Sequence, residues 1–77
     1  MNKQSKQVWL VCSTWHTNEG AEFTISQEAY YNLEDAQKFC ELRHNGQVYD
    51  LDKFTYVSEP NEKGRYYEYK ILNIYVK

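Results

Sequence analysis

Eight tyrosines, two tryptophans and three phenylalanines stand in a chain of 77 residues, most of them on segments that alternate in the manner of β-strands. Only one segment has the period of a helix. A short helix can cover one face of a small sheet and no more. The ring side chains therefore outnumber the shelter available to them, and the second sheet face is expected to present aromatic surface to a partner macromolecule or to another copy of the chain.

The length corresponds to one domain, residues 1–77. A chain this short buries only ~60% of its unfolded surface, so the core is thin. With 42% hydrophobic and 17% aromatic residues, disorder is excluded, since disordered chains are poor in aromatics and rich in net charge. The formal charge is −2, which argues against non-specific nucleic-acid binding through surplus Lys and Arg. The longest apolar stretch, Val8 to Cys12, is far short of the ~20 residues that cross a bilayer. Lys3 and Lys6 precede it, but the stretch is too short for a signal peptide and no small-residue cleavage site follows. Leu10-Val11-Cys12 places bulky Val11 where a lipoprotein signal needs a small residue. The expectation is a cytoplasmic chain with no membrane partner. Cys12 and Cys40 are expected to be free thiols, because secreted miniproteins generally carry four or more cysteines.

Residues 1–6 are polar and expected to fray. Gln7 to Thr14 reads as a strand, with Val8, Leu10 and Cys12 on one face and Trp9, Val11 and Ser13 on the other. Both faces are apolar, as in a central strand. His16 to Gly20 is turn chemistry, and Glu22 to Ser26 completes a hairpin with Phe23 and Ile25 inward. Gln27 to Tyr31 either extends that strand or leads into the helix. Asn32 is a good N-cap, Asp35 suits the helix dipole, and Leu33, Ala36, Phe39 and Cys40 form one apolar stripe. Asn45-Gly46 supplies the C-cap pair. Val48 to Leu51 is a short linker with extended character, Lys53 to Ser58 a strand, and Pro60 to Gly64 a turn. The last strand, Arg65 to Val76, carries Tyr67, Tyr69 and Ile71 on one face. Its apolar residues then change sides, to Leu72, Ile74 and Val76, which implies either a bulge or burial of both faces. The fold class is thus α+β, an antiparallel sheet of about four strands in ββαββ order with one helix packed on one face. The expected core is Val8, Leu10, Cys12, Ile25, Leu33, Ala36, Phe39 and Cys40, with some of Phe54, Tyr56, Leu72 and Ile74.

The one metal-like pattern is Cys12-x3-His16 with Cys40-x3-His44, which use every cysteine and histidine in the chain. Cys2His2 is a legitimate zinc set. On an extended strand, however, Cys12 and His16 lie ~13 Å apart, and no C-x2-C knuckle is present. Thiols in the core with exposed histidines are the preferred reading, and no cofactor is expected. Catalysis has little to stand on. The acidic residues Glu34, Asp35, Glu41, Asp50 and Asp52 are scattered, no glycine-rich loop is present, and nothing surrounds the Cys–His pairs with a nucleophile signature. The chain is expected not to be an enzyme.

Protein binding fits the composition better, because interfaces are enriched in Tyr, Trp and Arg. Trp9, Trp15, Tyr66, Tyr67, Tyr69 and Tyr75 are the candidate partner-binding residues. A homodimer is the alternative occupant, and an exposed edge such as the long last strand could pair with a second copy. A nucleic-acid reading would use the run Tyr66-Tyr67-Glu68-Tyr69-Lys70, with Lys53, Lys63 and Arg65 nearby, as a base-stacking strand. Acidic Glu59, Glu62 and Glu68 interrupt the basic residues, and strand propensity alone explains the tyrosines.

The segment Tyr31-Asn32-Leu33-Glu34-Asp35-Ala36-Gln37-Lys38-Phe39-Cys40-Glu41-Leu42-Arg43-His44-Asn45 resembles the helix of small phage and prophage accessory proteins. In those, a hairpin leads into an acidic, Ala-containing helix that ends in Asn and precedes a Tyr-rich strand. The resemblance covers about half the chain. It implies no activity and no site residues. It does imply a role in binding and blocking a host protein, a defence nuclease being one kind. The long segment Asn45 to Lys53 and the extended last strand depart from that pattern.

Overall fold

The computed structural model describes residues 6–17, 19–20 and 22–76. Five strands and one helix follow in the order β1 (Lys6–His16), β2 (Glu22–Tyr30), α1 (Leu33–Glu41), β3 (Val48–Asp50), β4 (Thr55–Ser58) and β5 (Tyr66–Val76). The sheet is antiparallel throughout, with strand order β2-β1-β5-β4-β3. The class is α+β with one helix, as expected from sequence. The strand count is five rather than four, because Val48–Asp50 pairs with β4 where the sequence suggested a linker. The expected fray of residues 1–6 concerns mainly residues 1–5, which lie outside the described residues. Lys6 already pairs with Val76.

The centre of the sheet is the β1–β5 pair, eleven residues on each strand in a single register from Lys6↔Val76 to His16↔Tyr66. No bulge interrupts β5. The one irregularity lies between β1 and β2, where the register shifts at Ser13/Thr14 and Ile25 becomes the extra residue. Such a bulge disrupts pairing locally and strengthens the twist. At the β1–β2 turn, the Gly20 N–H donates to the Thr17 carbonyl at 3.1 Å. Gly20 has φ of 87°, a conformation costly for residues with a Cβ.

Asn32 stands at the helix start in extended conformation, but its amide does not cap the backbone. Its Nδ2 instead donates to Asp35 Oδ2 at 3.3 Å. The helix is shorter than the sequence implied. It stops at Glu41, and His44 and Asn45 then take left-handed backbone with φ of 54° and 58°. These are among the non-glycine types that tolerate this region best.

The core lies between α1 and the face of the sheet that carries the odd-numbered residues of β1 and β5. Val11, Ala36, Cys40, Tyr56, Tyr69 and Ile71 are buried together, with Trp9, Tyr30, Leu33, Phe39, Val48 and Tyr67 packed around them. Alternation puts Trp9, Val11 and Ser13 under the helix and Val8, Leu10 and Cys12 on the opposite face. This reverses the sequence expectation for β1. Ile25, Phe54, Leu72 and Ile74 are exposed rather than in the core, while Leu33, Ala36, Phe39, Cys40 and Tyr56 contribute as expected. The reversal has a physical cause. Two tyrosines fill the centre, and each has a partner for its hydroxyl. Tyr69 shares a 2.6 Å hydrogen bond with His44 Nε2, and Tyr56 reaches the Lys53 carbonyl at 3.5 Å. Buried Ser13, which faces Tyr69 on the neighbouring strand, leaves room for the ring.

Ile71 and Leu72 are chain neighbours on opposite faces, so they distinguish the two assignments of the core. Ile71→Ala is expected to cost about 2–4 kcal/mol and Leu72→Ala about 1 kcal/mol or less. Urea unfolding of the two variants measures the difference, and equal losses would contradict this assignment of the faces.

Candidate interaction surface

The even-numbered residues of β1 and β5 lie on the face away from α1. Among the described residues no element packs on that face. It divides into two ends of different chemistry.

At the end formed by the start of β1 and the finish of β5, the residues are apolar. Val8 stands opposite Ile74, and Leu10 stands between Leu72 and Ala29. Leu72 is 47% and Ile74 40% exposed. Just past β2, Tyr31 is 77% exposed, and a shallow hollow of about 150 Å³ lies between Val8, Ala29, Tyr30 and Tyr31. Three neighbouring strands therefore present one apolar patch. Regular alternation in β5 produces it: the apolar residues change parity after Ile71 while the strand runs straight on. Without a bulge, Leu72 and Ile74 can only fall on the bare face.

The other end is polar. His16 Nε2 lies 2.8 Å from Glu68 Oε1, and Nδ1 lies 3.4 Å from Glu22 Oε1. The imidazole stacks on Tyr66 with centroids 4.8 Å apart, and Lys70 Nζ is 3.9 Å from the same Glu68 oxygen. Three strands are cross-linked here by side chains. The neighbouring positions Thr14, Thr24, Gln27 and Thr55 are also polar, so this end is suited to water.

The six candidate binding aromatics do not form one surface. Tyr69 is 1% exposed and belongs to the core. Trp9 and Tyr67 pack against that core from the helix side. Trp15 is half-buried on the same side, with its ring 4.5 Å from that of Tyr67. Tyr66 faces the opposite way, half-buried on His16. Tyr75 alone is widely exposed, at 60%, with its hydroxyl accepting from Gln7 Nε2 at 3.1 Å. The tyrosine run thus alternates between faces, and Tyr67 and Tyr69 are not offered as a stacking platform. The sequence pointed to aromatic rings, whereas the exposed patch is mainly aliphatic. Its signal in the sequence is the parity change at Ile71-Leu72, which alone is equally consistent with a bulge and with burial of both faces.

The four candidate metal ligands are also separated. Cys12 and His16 lie on the bare face, whereas Cys40 is buried beneath the helix and His44 bonds Tyr69 on the core side. No group of three or more His, Cys, Asp or Glu side chains among the described residues is placed to hold a metal. Both cysteines are free thiols. Burial, with a smaller contribution from Glu41, pushes the Cys40 thiol up to about 12. Burial and then the Arg43 charge hold the His44 imidazole below its ordinary value, which favours the neutral ring beside Tyr69. Among the described residues no helix is long and apolar enough to cross a membrane.

Compared with protein-family models, with curated proteins and with solved structures, the chain matches none.

The thiolate is the reactive form of cysteine, so the two thiols should separate cleanly. At pH 8 a maleimide is expected to label half-exposed Cys12 in the native protein and Cys40 only after denaturation. Mass spectrometry of the digested protein reads the sites. Equal native labelling would contradict the burial of Cys40.

Proposed function

We propose that this chain is a non-enzymatic protein-binding module and that the apolar end of the bare sheet face is its contact surface. The observation that carries this reading is the adjacency of Val8, Leu10, Ala29, Leu72 and Ile74 on three paired strands, with no covering element among the described residues. Contiguous exposed apolar surface of this kind marks interaction sites on monomeric proteins. The polar end, with His16, Glu22, Glu68 and Lys70, bounds the patch on one side in the manner of an interface rim.

The non-enzymatic part of the reading is supported by shape. The hollow beside Val8 is smaller than the ~300–1,000 Å³ of ordinary small-molecule sites. A larger hollow of about 310 Å³ lies over the first turn of α1 but is lined by Asn32, Leu33, Glu34 and Asp35, without a nucleophile or a base beyond two solvated carboxylates. The resemblance of Tyr31–Asn45 to phage accessory proteins supplies the most specific version: an inhibitor or regulator acting in the host cytoplasm on a host protein, such as a component of a defence system. The partner would meet the patch with apolar side chains and need no cofactor.

Replacing the cross-strand pair Leu10 and Leu72 tests the surface without creating a like-charge clash. In the double variant Leu10→Lys/Leu72→Glu the new side chains stand opposite each other as an attractive pair, and the lysine stem can lie along the sheet. Affinity capture from the native host, read by quantitative mass spectrometry, is expected to show a partner retained at least tenfold more by the original chain than by the variant, with circular dichroism unchanged. Retention of the same proteins by both chains would overturn this reading.

A further inference from the structure

The sheet has three stretches of open backbone among the described residues, and they are not equally protected. Natural sheets guard exposed edges with charges, bulges or short strands, because an unpaired ladder is a template for another chain. The β3 edge is only three residues long. The β2 edge is nine residues long but carries the bulge at Ile25 and the charges of Glu22 and Glu28. The third stretch is the second half of β5. β4 pairs with β5 only from Glu68 to Lys70, and the Ile71 N–H still donates to the Phe54 carbonyl at 2.8 Å. Beyond that, the outer side of β5 has no neighbouring strand among the described residues.

The direction of its backbone groups follows from bonds already described. The N–H groups of Tyr67 and Ile71 both point towards β4, to Ser58 Oγ and the Phe54 carbonyl. Since strand periodicity is two, the N–H and C=O groups of Asn73 and Tyr75 point out of the same edge, with no strand there to receive them. The segment Ile71-Leu72-Asn73-Ile74-Tyr75-Val76 carries no charge, no proline and no glycine, and its one register with β1 holds it regular. It combines β-branched and aromatic residues, the composition that favours strand-to-strand addition. None of the protections found on the other two edges is present.

We infer that this edge pairs with the same edge of a second copy, antiparallel about a two-fold axis through Ile74, to make one sheet of ten strands. The register is fixed by geometry. With Ile74 facing Ile74 of the second copy, Asn73 faces Tyr75 and Tyr75 faces Asn73. Both members of each of those pairs have outward backbone groups, so both become hydrogen-bonded pairs and four N–H···O=C bonds close across the axis. The occupant is a copy of this chain because the segment is self-complementary in that register and uncharged, so two copies meet without like-charge opposition. A five-residue strand contact is small beside the ~1,200–2,000 Å² of stable complexes, so the association is expected to depend on concentration. Its bonds are those of the backbone edge, although Leu72 and Ile74 of the apolar face lie along the seam, and a chain that stayed monomeric would leave the proposed function standing.

Sedimentation equilibrium of the full chain across a dilution series is expected to show the mass rising from 9.3 kDa towards twice that value. Asn73→Pro removes an outward N–H without touching the β1 ladder and is expected to keep the chain monomeric. Gln27→Pro, which does the same at the outer edge of β2, is expected to leave the association unchanged. Circular dichroism checks that both variants fold. Cysteine cross-linking in a Cys12→Ser background decides the register even if Asn73→Pro does not fold. Ile74→Cys places its thiol across the axis, with α-carbons ~4.5 Å apart, and is expected to form the intermolecular disulfide. Leu72→Cys places them ~14 Å apart and should not. A monomer at every concentration, association that survives Asn73→Pro in a folded chain, or Leu72→Cys linking as fast as Ile74→Cys would each overturn the inference.

Discussion

The eleven-residue antiparallel pairing of β1 with β5 is the constraint on which the rest of the molecule depends. It joins segments from near the two ends of the chain, and β2 and β4 attach to its outer sides. Because its register is uninterrupted, the parity of every side chain on both central strands is set together. One choice places Val11, Tyr69 and Ile71 beneath the helix, and the same choice places Leu10, Leu72 and Ile74 on the bare side. Slipping either strand by one residue would invert its set of side chains. The fold cannot bury one group without exposing the other.

The helix is too short to relieve this. Nine residues rise only ~14 Å, while the molecule is 56 Å long and 18 Å in its thinnest direction, the depth of one sheet and one helix. α1 therefore shelters the middle of one face. Large aromatic side chains make such a thin layer workable, since a tyrosine ring buries much area and keeps a polar tip for a nearby acceptor or donor. His44 and the Lys53 carbonyl provide those partners from turns, and both residues sit in left-handed backbone. The strained-looking turns are thus what allow Tyr56 and Tyr69 to serve as core residues. Arg43 adds to this, its guanidinium lying 5.0 Å from the Phe39 ring centroid and 5.8 Å from that of Tyr69.

The class of fold was legible from local patterns. The amphipathic segment after Asn32, the turn residues around Gly20 and Gly64, and the alternation in the strands each specify an element from neighbouring residues alone. Which face of β1 meets the helix was not legible, because Val8-Leu10-Cys12 and Trp9-Val11-Ser13 are both apolar and only the partners on β5 and β4 decide between them. Tyr69 read as surface because its hydroxyl needs a partner twenty-five positions away. The paired Cys-x3-His spacing suggested a common site, but sheet alternation and helix packing send the two cysteines to opposite sides of the sheet. Leu72 and Ile74 were visible as a change of parity. Their exposure depends on β5 running without a bulge in one register with β1, which residues 71–76 alone do not specify.

Solvent access to methyl groups measures the central asymmetry most directly. With methyl-labelled protein and a soluble paramagnetic agent, the signals of Leu72 and Ile74 should broaden strongly, while those of Ile71 and Val11 stay sharp beneath α1. If the methyls of Leu72 and Ile74 were shielded in the monomer as fully as those of Ile71 and Val11, the sheet would have no bare apolar face and this account of the fold would be wrong.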